Sequence, residues 1–119
     1  MDRVVAEGPG AFSGISVVAS TGTQAEVPPG QWGTLAPLLA ARRLAHPEPL
    51  ASYGLDRPRA RLVYRRRAGG ELDVELGGPS FDARLVYARR AGDVGVYLLA
   101  ADSLRTLLSL VGVALPAPT

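Results

Sequence analysis

Polar and apolar side chains alternate strictly at Glu71-Leu72-Asp73-Val74-Glu75-Leu76, placing Leu72, Val74 and Leu76 on one face of an extended segment. The stretch before it, Ala60-Arg61-Leu62-Val63-Tyr64-Arg65-Arg66-Arg67-Ala68-Gly69, recurs as Ala83-Arg84-Leu85-Val86-Tyr87-Ala88-Arg89-Arg90-Ala91-Gly92, and only one position differs. A further strand signal follows each copy, at 71–76 and at 94–99. The unit is strand, Ala-Gly turn, strand, used twice. Two units are too few for a solenoid but predict a four-stranded antiparallel sheet over residues 59–100. With Ala68-Gly69-Gly70 as the loop, Arg67 should lie opposite Glu71, and Arg65 opposite Asp73. Tyr64 and Tyr87 each share parity with a leucine two residues earlier, so both are expected to face the helices, with Arg61 and Arg84 facing away.

Shorter strand signals precede this region at 3–7, 15–20 and 24–27, punctuated by Gly8-Pro9-Gly10 and Pro28-Pro29-Gly30. A helix is predicted over 34–45. Thr34 is its N-cap, Pro37 falls in its first turn, and Leu35, Leu38, Leu39 and Arg42 repeat at helical spacing. His46-Pro47-Glu48-Pro49 stops it. A second helix is predicted over 103–111, capped by Asp102 or Ser103, with Leu104, Leu107, Leu108 and Val111 on one stripe and Gly112 at its C-terminal end. The expected fold is α+β: an antiparallel sheet built on two consecutive β-hairpins, packed against two helices, with short N-terminal strands. Residues 1–112 form the single domain, and 113–119 a flexible Pro/Ala tail.

Composition adds limits. The chain has 119 residues, no cysteine and a formal charge of +2. Disulfide and thiolate chemistry are thereby excluded. All thirteen basic residues are arginines, and asparagine is absent as well. Together with abundant Ala, Gly and Pro, this reads as the codon bias of a GC-rich genome, which discounts arginine richness as a sign of nucleic-acid binding. No apolar run reaches the length of about 18 residues that a membrane span needs. The start at Met1-Asp2-Arg3 is not a signal peptide, so the expected location is cytoplasmic, or extracytoplasmic and membrane-anchored if an N-terminal segment has been removed.

Candidate chemistry is sparse. His46 is the one histidine, in a proline-rich linker, where a packing or solvent-exposed role outweighs a catalytic or ligand role. Gly10-Ala11-Phe12-Ser13-Gly14 displaces the serine by one from a nucleophile elbow. Gly77-Gly78-Pro79 reads as a turn rather than a phosphate loop. Asp73 and Glu75 read as partners of arginines on a charged sheet face rather than as a catalytic carboxylate pair. Arg65-Arg66-Arg67, Arg89-Arg90 and the tyrosines resemble a nucleic-acid platform, but Glu71, Asp73 and Glu75 neutralise the neighbouring surface. No catalytic residue, cofactor or metal ligand is assigned.

The segment Tyr53-Gly54-Leu55-Asp56-Arg57-Pro58-Arg59-Ala60, followed by a strand, a Gly turn and Leu76-Gly77-Gly78-Pro79, has a recognisable form. So has the later Val96-Tyr97-Leu98-Leu99 ahead of a capped helix. Together with Trp32 before a helix, these resemble the bacterial domain-of-unknown-function family numbered 4340 over roughly residues 3 to 111. The resemblance implies an anchored protein beside ABC-transporter components of the gliding-motility type, and it implies no catalytic residues. In physical terms the Tyr-Gly-Leu-Asp-x-Pro segment reads as a structural corner, with positive φ at Gly54 and an Asp56 bond to the backbone ahead of it.

The function expected from these features is a non-catalytic interaction or scaffold module with a protein partner, possibly homo-oligomeric through its sheet edges. The alternative is a small-ligand or glycan-binding domain with a groove near Trp32, Tyr53 and the Gly77-Gly78-Pro79 turn. Candidate contact residues are Trp32, Tyr53, Arg57, Arg66 and Arg89.

Overall fold

The computed structural model describes residues 2–45 and 47–115. His46 and residues 116–119, the greater part of the expected tail, lie outside them. In chain order the strands are β1 (Asp2–Val5), β2 (Phe12–Ala19), β3 (Gln24–Glu26), β4 (Leu38–Ala40), β5 (Arg42–Arg43), β6 (Ala60–Arg66), β7 (Glu71–Pro79), β8 (Leu85–Arg90) and β9 (Tyr97–Ala100). The helix α1 (Ala101–Ser109) follows directly. Seven strands form one antiparallel sheet in the order β3-β2-β6-β7-β8-β9-β5, and β1 pairs with β4 in a separate ribbon. The α+β class with an antiparallel sheet therefore stands, as a wider sheet than the four strands expected.

The inner face of the sheet is apolar for the reason the alternation implies. Ile15, Val17, Leu62, Tyr64, Leu72, Val74, Leu76, Val86, Ala88, Tyr97 and Leu99 pack into one cluster. It is closed from above by Leu104, Leu107, Leu108 and Val111 of α1 and by Val4, Val5, Leu35 and Leu38. The Phe12 and Tyr64 rings meet in it at 5.0 Å. The Tyr64 hydroxyl donates to the Leu35 carbonyl at 2.9 Å, so its polar end is satisfied inside the core. Burial raises the Tyr64 phenol pKa well above its ordinary value.

Five details depart from the sequence reading. The helix expected over 34–45 is absent: a 3-10 helix spans Pro29–Thr34, and the chain then runs as β4 and β5. The run Leu35-Ala36-Pro37-Leu38-Leu39-Ala40 has no polar residue to separate a period of 3.6 from one of two. Tertiary pairing decides it: Leu39 sits opposite Arg3, and the Ala41 and Leu44 N–H groups donate to Leu98 and Val96. Within the α1 region, Ala100 rather than Asp102 or Ser103 is the N-cap, because Ala101 N–H still bonds Arg84 C=O and the sheet ladder runs into the helix. Gly112 does take positive φ, at 76°.

The third departure is the register of β6 on β7. Arg65 faces Glu71, Val63 faces Asp73 and Tyr64 faces Leu72, two residues away from the expected pairing. Gly69 and Gly70 both adopt positive φ and lengthen the turn, while Arg67 leaves the ladder to donate to Ala11 and Gly10 carbonyls. The fourth is β9, which starts at Tyr97 rather than 94. Asp93 accepts Gly95 N–H, its carbonyl accepts Arg89, and Val94 projects into solvent.

The fifth is the orientation of the second repeat. Leu76 pairs with Ala88 and Val74 with Arg90, so Val86 and Ala88 face the core and Tyr87 faces outward. In the first copy the inward residues are Ala60, Leu62 and Tyr64. The two copies therefore show opposite faces, and the one position at which they differ explains it. Arg65 sits on the outer face, paired with Glu26, whereas its counterpart Ala88 is fully buried. At this mid-strand position the inner face is fully buried, so an arginine takes the outer face and an alanine fits the inner one; Arg66 and Arg90 share the inward parity only at the partly exposed strand ends.

Residues 113–115 continue from α1 and are tied down. Val113 and Leu115 pack against the core, and Arg105 donates to the Leu115 carbonyl at 2.9 Å.

Candidate functional site

The outward turn of β8 builds a place where residues of the Tyr-Gly-Leu-Asp-x-Pro segment and the Gly77-Gly78 bulge converge. Pro49 leads into a 3-10 helix over Leu50–Tyr53, which ends at Gly54 with φ of 72°. Leu55 N–H closes back onto Leu50 C=O at 3.0 Å. The segment lies across the outer face of β7, where an irregular register between Leu76 and Pro79 marks a bulge at Gly77-Gly78. A Cβ on Gly77 would fall on the Tyr53 carbonyl oxygen, and would also lie 3.1 Å from the Leu55 side chain. A Cβ on Gly54 would lie 2.9 Å from Gly78 N. Backbone touches backbone, so both glycines are required by close approach and Gly54 by its φ as well. Leu55 is buried beneath the corner, and the Tyr53 ring rests on Tyr87 at 4.7 Å. The Tyr53 hydroxyl accepts Glu48 N–H at 2.7 Å. Among the described residues the Asp56 carboxylate makes no bond to the backbone ahead of it; the corner is closed by Gly54 and Gly77 instead.

Beside the corner, Arg42, Leu44, Ala45, Glu48, Ser52, Tyr53 and Tyr87 line an open groove of about 500 Å³. Trp32 is not part of it. Its indole N–H donates to the Val27 carbonyl at 2.9 Å, and its ring packs against the core on the inner side of the sheet. The sheet stands between Trp32 and Tyr53. Arg89 shares the outer face with Tyr87 but is engaged: two of its nitrogens reach Glu75 Oε1 at 2.7 and 3.0 Å, and a third reaches Asp93 O. Arg66 lies 3.4 Å from Glu7 at the opposite end of β6 from Pro58, and Arg57 is exposed. Of the five candidate residues, Tyr53 alone lines the groove. Sequence reasoning missed Tyr87 and Arg42, since one was placed on the inner face and the other on a helix. The difference between Arg65 and Ala88 was the signal that could have found Tyr87.

The remaining outer face, over β3, β2, β6 and β7, is ruled by ion pairs. Arg65 meets Glu26 at 2.7 Å and also donates to Ser16 Oγ; Arg61 meets Asp73 at 3.1 Å. The hydrogen bonds from Arg65 and Ser16 hold the Glu26 carboxyl below its ordinary pKa. Asp82, in the β7–β8 turn, is lowered likewise by the Ser80 hydroxyl and Arg84 N–H. Among the described residues no cluster of three His, Cys, Asp or Glu side chains is placed to hold a metal, and no helix is long and apolar enough to cross a membrane.

The class these features define is an antiparallel α+β domain whose sequence signature closes a backbone corner on the outer face of its sheet. The family model described as "Domain of unknown function (DUF4340)" matches residues 33–111, which include the corner, the repeats and α1. The chain belongs to this family. No curated protein and no solved structure matches it.

Proposed function

We propose that the chain is a non-catalytic interaction or scaffold module of a bacterial envelope or transporter-associated assembly. The observation that carries this reading is the outer face of β3, β2, β6 and β7. Two cross-strand ion pairs, Arg65–Glu26 and Arg61–Asp73, and a third, Arg89–Glu75, that ties β7 to β8 at its border, hold its side chains in place without covering it. A pre-ordered polar surface loses little side-chain entropy when a partner docks, and its charge pattern selects the partner. The family resemblance supplies the envelope context.

The test is affinity capture of the tagged full chain from its native host, beside an Arg61→Glu/Arg65→Glu variant. Exposed ion pairs contribute roughly 0–1 kcal/mol, so the variant folds. A stoichiometric partner should be retained by the unmodified chain and lost by the variant. Capture of no partner, combined with a small molecule that raises the melting temperature, would overturn the reading. That second outcome would favour ligand binding at the groove of Tyr53, Tyr87 and Arg42, where two touching aromatic rings beside a guanidinium suit a polar, ring-shaped ligand.

A further inference from the structure

We propose that the chain self-associates as a two-fold dimer in which Phe81 of each copy enters an apolar groove of the other, formed where β2 ends and β6 begins. Phe81 is fully exposed, at 101% relative accessibility. It sits on a turn that is held from every side. Ser80 N–H bonds Leu85 C=O at 2.8 Å, and Ala83 N–H bonds Ser80 C=O at 2.9 Å. Ser80 Oγ donates to Asp82 Oδ1 at 2.8 Å, and the Asp82 carboxylate also accepts Arg84 N–H at 3.1 Å. Ala83 takes φ of 61°, a conformation that a loose loop would not hold for a non-glycine residue. A large aromatic ring displayed on a pre-ordered turn has the form of a docking anchor, since binding it orders little further.

The same chain carries a hole for it. Val18, Ala19, Ser20, Pro58 and Ala60 form the floor of a groove of about 340 Å³, with Arg61 and Glu75 beside them. A cavity of about 150 Å³ suffices for a benzene ring. The groove and the ring lie at one end of the sheet: β2 finishes there at Ala19, β6 starts at Ala60 opposite Leu76, and β7 runs on from Leu76 into the Phe81 turn. Phe81, wholly in solvent, does not fill its own groove. A knob and a hole at the same end of the sheet allow a two-fold interface, because each copy then offers both to the other. A phenylalanine buries about 150–250 Å². Two rings and two groove surfaces thus bury about 800 Å² in all, short of the roughly 1,200 Å² of a stable complex, so the dimer is weak and concentration-dependent. This goes beyond the scaffold reading, and the dimer and the scaffold partner are detected by separate measurements.

Sedimentation velocity on the full chain from about 10 µM to about 1 mM tests it. The unmodified chain should move from monomer to dimer across that range. Phe81→Ala should weaken association at least about tenfold, since a two-fold contact loses the ring twice. Ser20→Arg, at an exposed residue lining the groove, should do the same by filling the hole. Both variants should keep the urea midpoint of the unmodified chain, so that lost association is not lost folding. A chain that stays monomeric at the highest concentration, or a Phe81→Ala variant that dimerises as well as the original, overturns the proposal. A monomeric chain that still captures a partner from its host leaves the scaffold reading intact and removes this one.

Discussion

Ala88→Arg, which makes the two ten-residue repeats identical, should unfold the domain or lower its stability by more than about 4 kcal/mol. The side chain at 88 belongs to the buried core cluster, where its exposure is 0%. A guanidinium there would lose its water, and no carboxylate belongs to the buried cluster to receive it. Moving it to the outer face requires a one-residue slip of β8, which would also turn Val86 outward and Tyr87 inward. The reciprocal change, Arg65→Ala, removes an ion pair to Glu26, whose carboxylate side chain is 64% exposed, and a hydrogen bond to Ser16 Oγ, which keeps its own bond to Glu26; it should cost about 1 kcal/mol. Urea denaturation of both variants checks the contrast. Two similar costs would mean that position 65/88 does not select the faces.

Gly77→Ala should cost about 3 kcal/mol, a large effect for one methyl group. Overpacking typically costs about 1–3 kcal/mol where side chains can move aside. Here the obstacle is the Tyr53 carbonyl, which belongs to a backbone fixed by the Leu55–Leu50 hydrogen bond and by Gly54. The methyl group therefore lifts the whole corner from β7 and exposes Leu55. A fall in the urea midpoint at unchanged m, with loss of near-ultraviolet ellipticity from the Tyr53–Tyr87 contact, is the expected signature. Gly8→Ala serves as the control: Gly8 has φ of −79° and open space around its Cβ position, so its midpoint should stay within about 0.5 kcal/mol of the parent. If the two variants matched, the corner would be looser than the structure shows.

The antiparallel sheet and the family were both legible in the chain, for different reasons. Residues 71–76 carry a polar side chain at every second position, which leaves one period open to them. The Tyr-Gly-Leu-Asp-x-Pro segment was legible as a corner because Gly54 has no other use in an extended segment than a left-handed turn. What covers that corner was not legible. Its contact with Gly77-Gly78 joins two segments more than twenty residues apart, and no local pattern encodes that distance. Residues 35–40 were misread because they are uniformly apolar, so the pairing with Arg3 and Leu98 decided their form. The second repeat was misread because parity was taken from Leu85 and Tyr87, both tolerant of either face. Ala88 carried the information, as an alanine where the first copy has an arginine. The candidate site suffered with it: once Tyr87 is turned outward, Tyr53 has a ring to rest on and the groove with Arg42 exists.

The central claim is that near-identical repeats present opposite faces, one tyrosine closing the core and the other carrying the signature corner. Nitration with tetranitromethane, followed by peptide mass spectrometry on the folded chain, reads it most directly, because the reagent attacks accessible phenolate. Tyr64 has 0% exposure and a phenol pKa raised by burial. Tyr87 lies on the outer face, partly open to the groove. Tyr87 should be modified in the native protein while Tyr64 stays unmodified until urea unfolds the chain. Equal protection of the two tyrosines, or modification of Tyr64 ahead of Tyr87, would contradict the account.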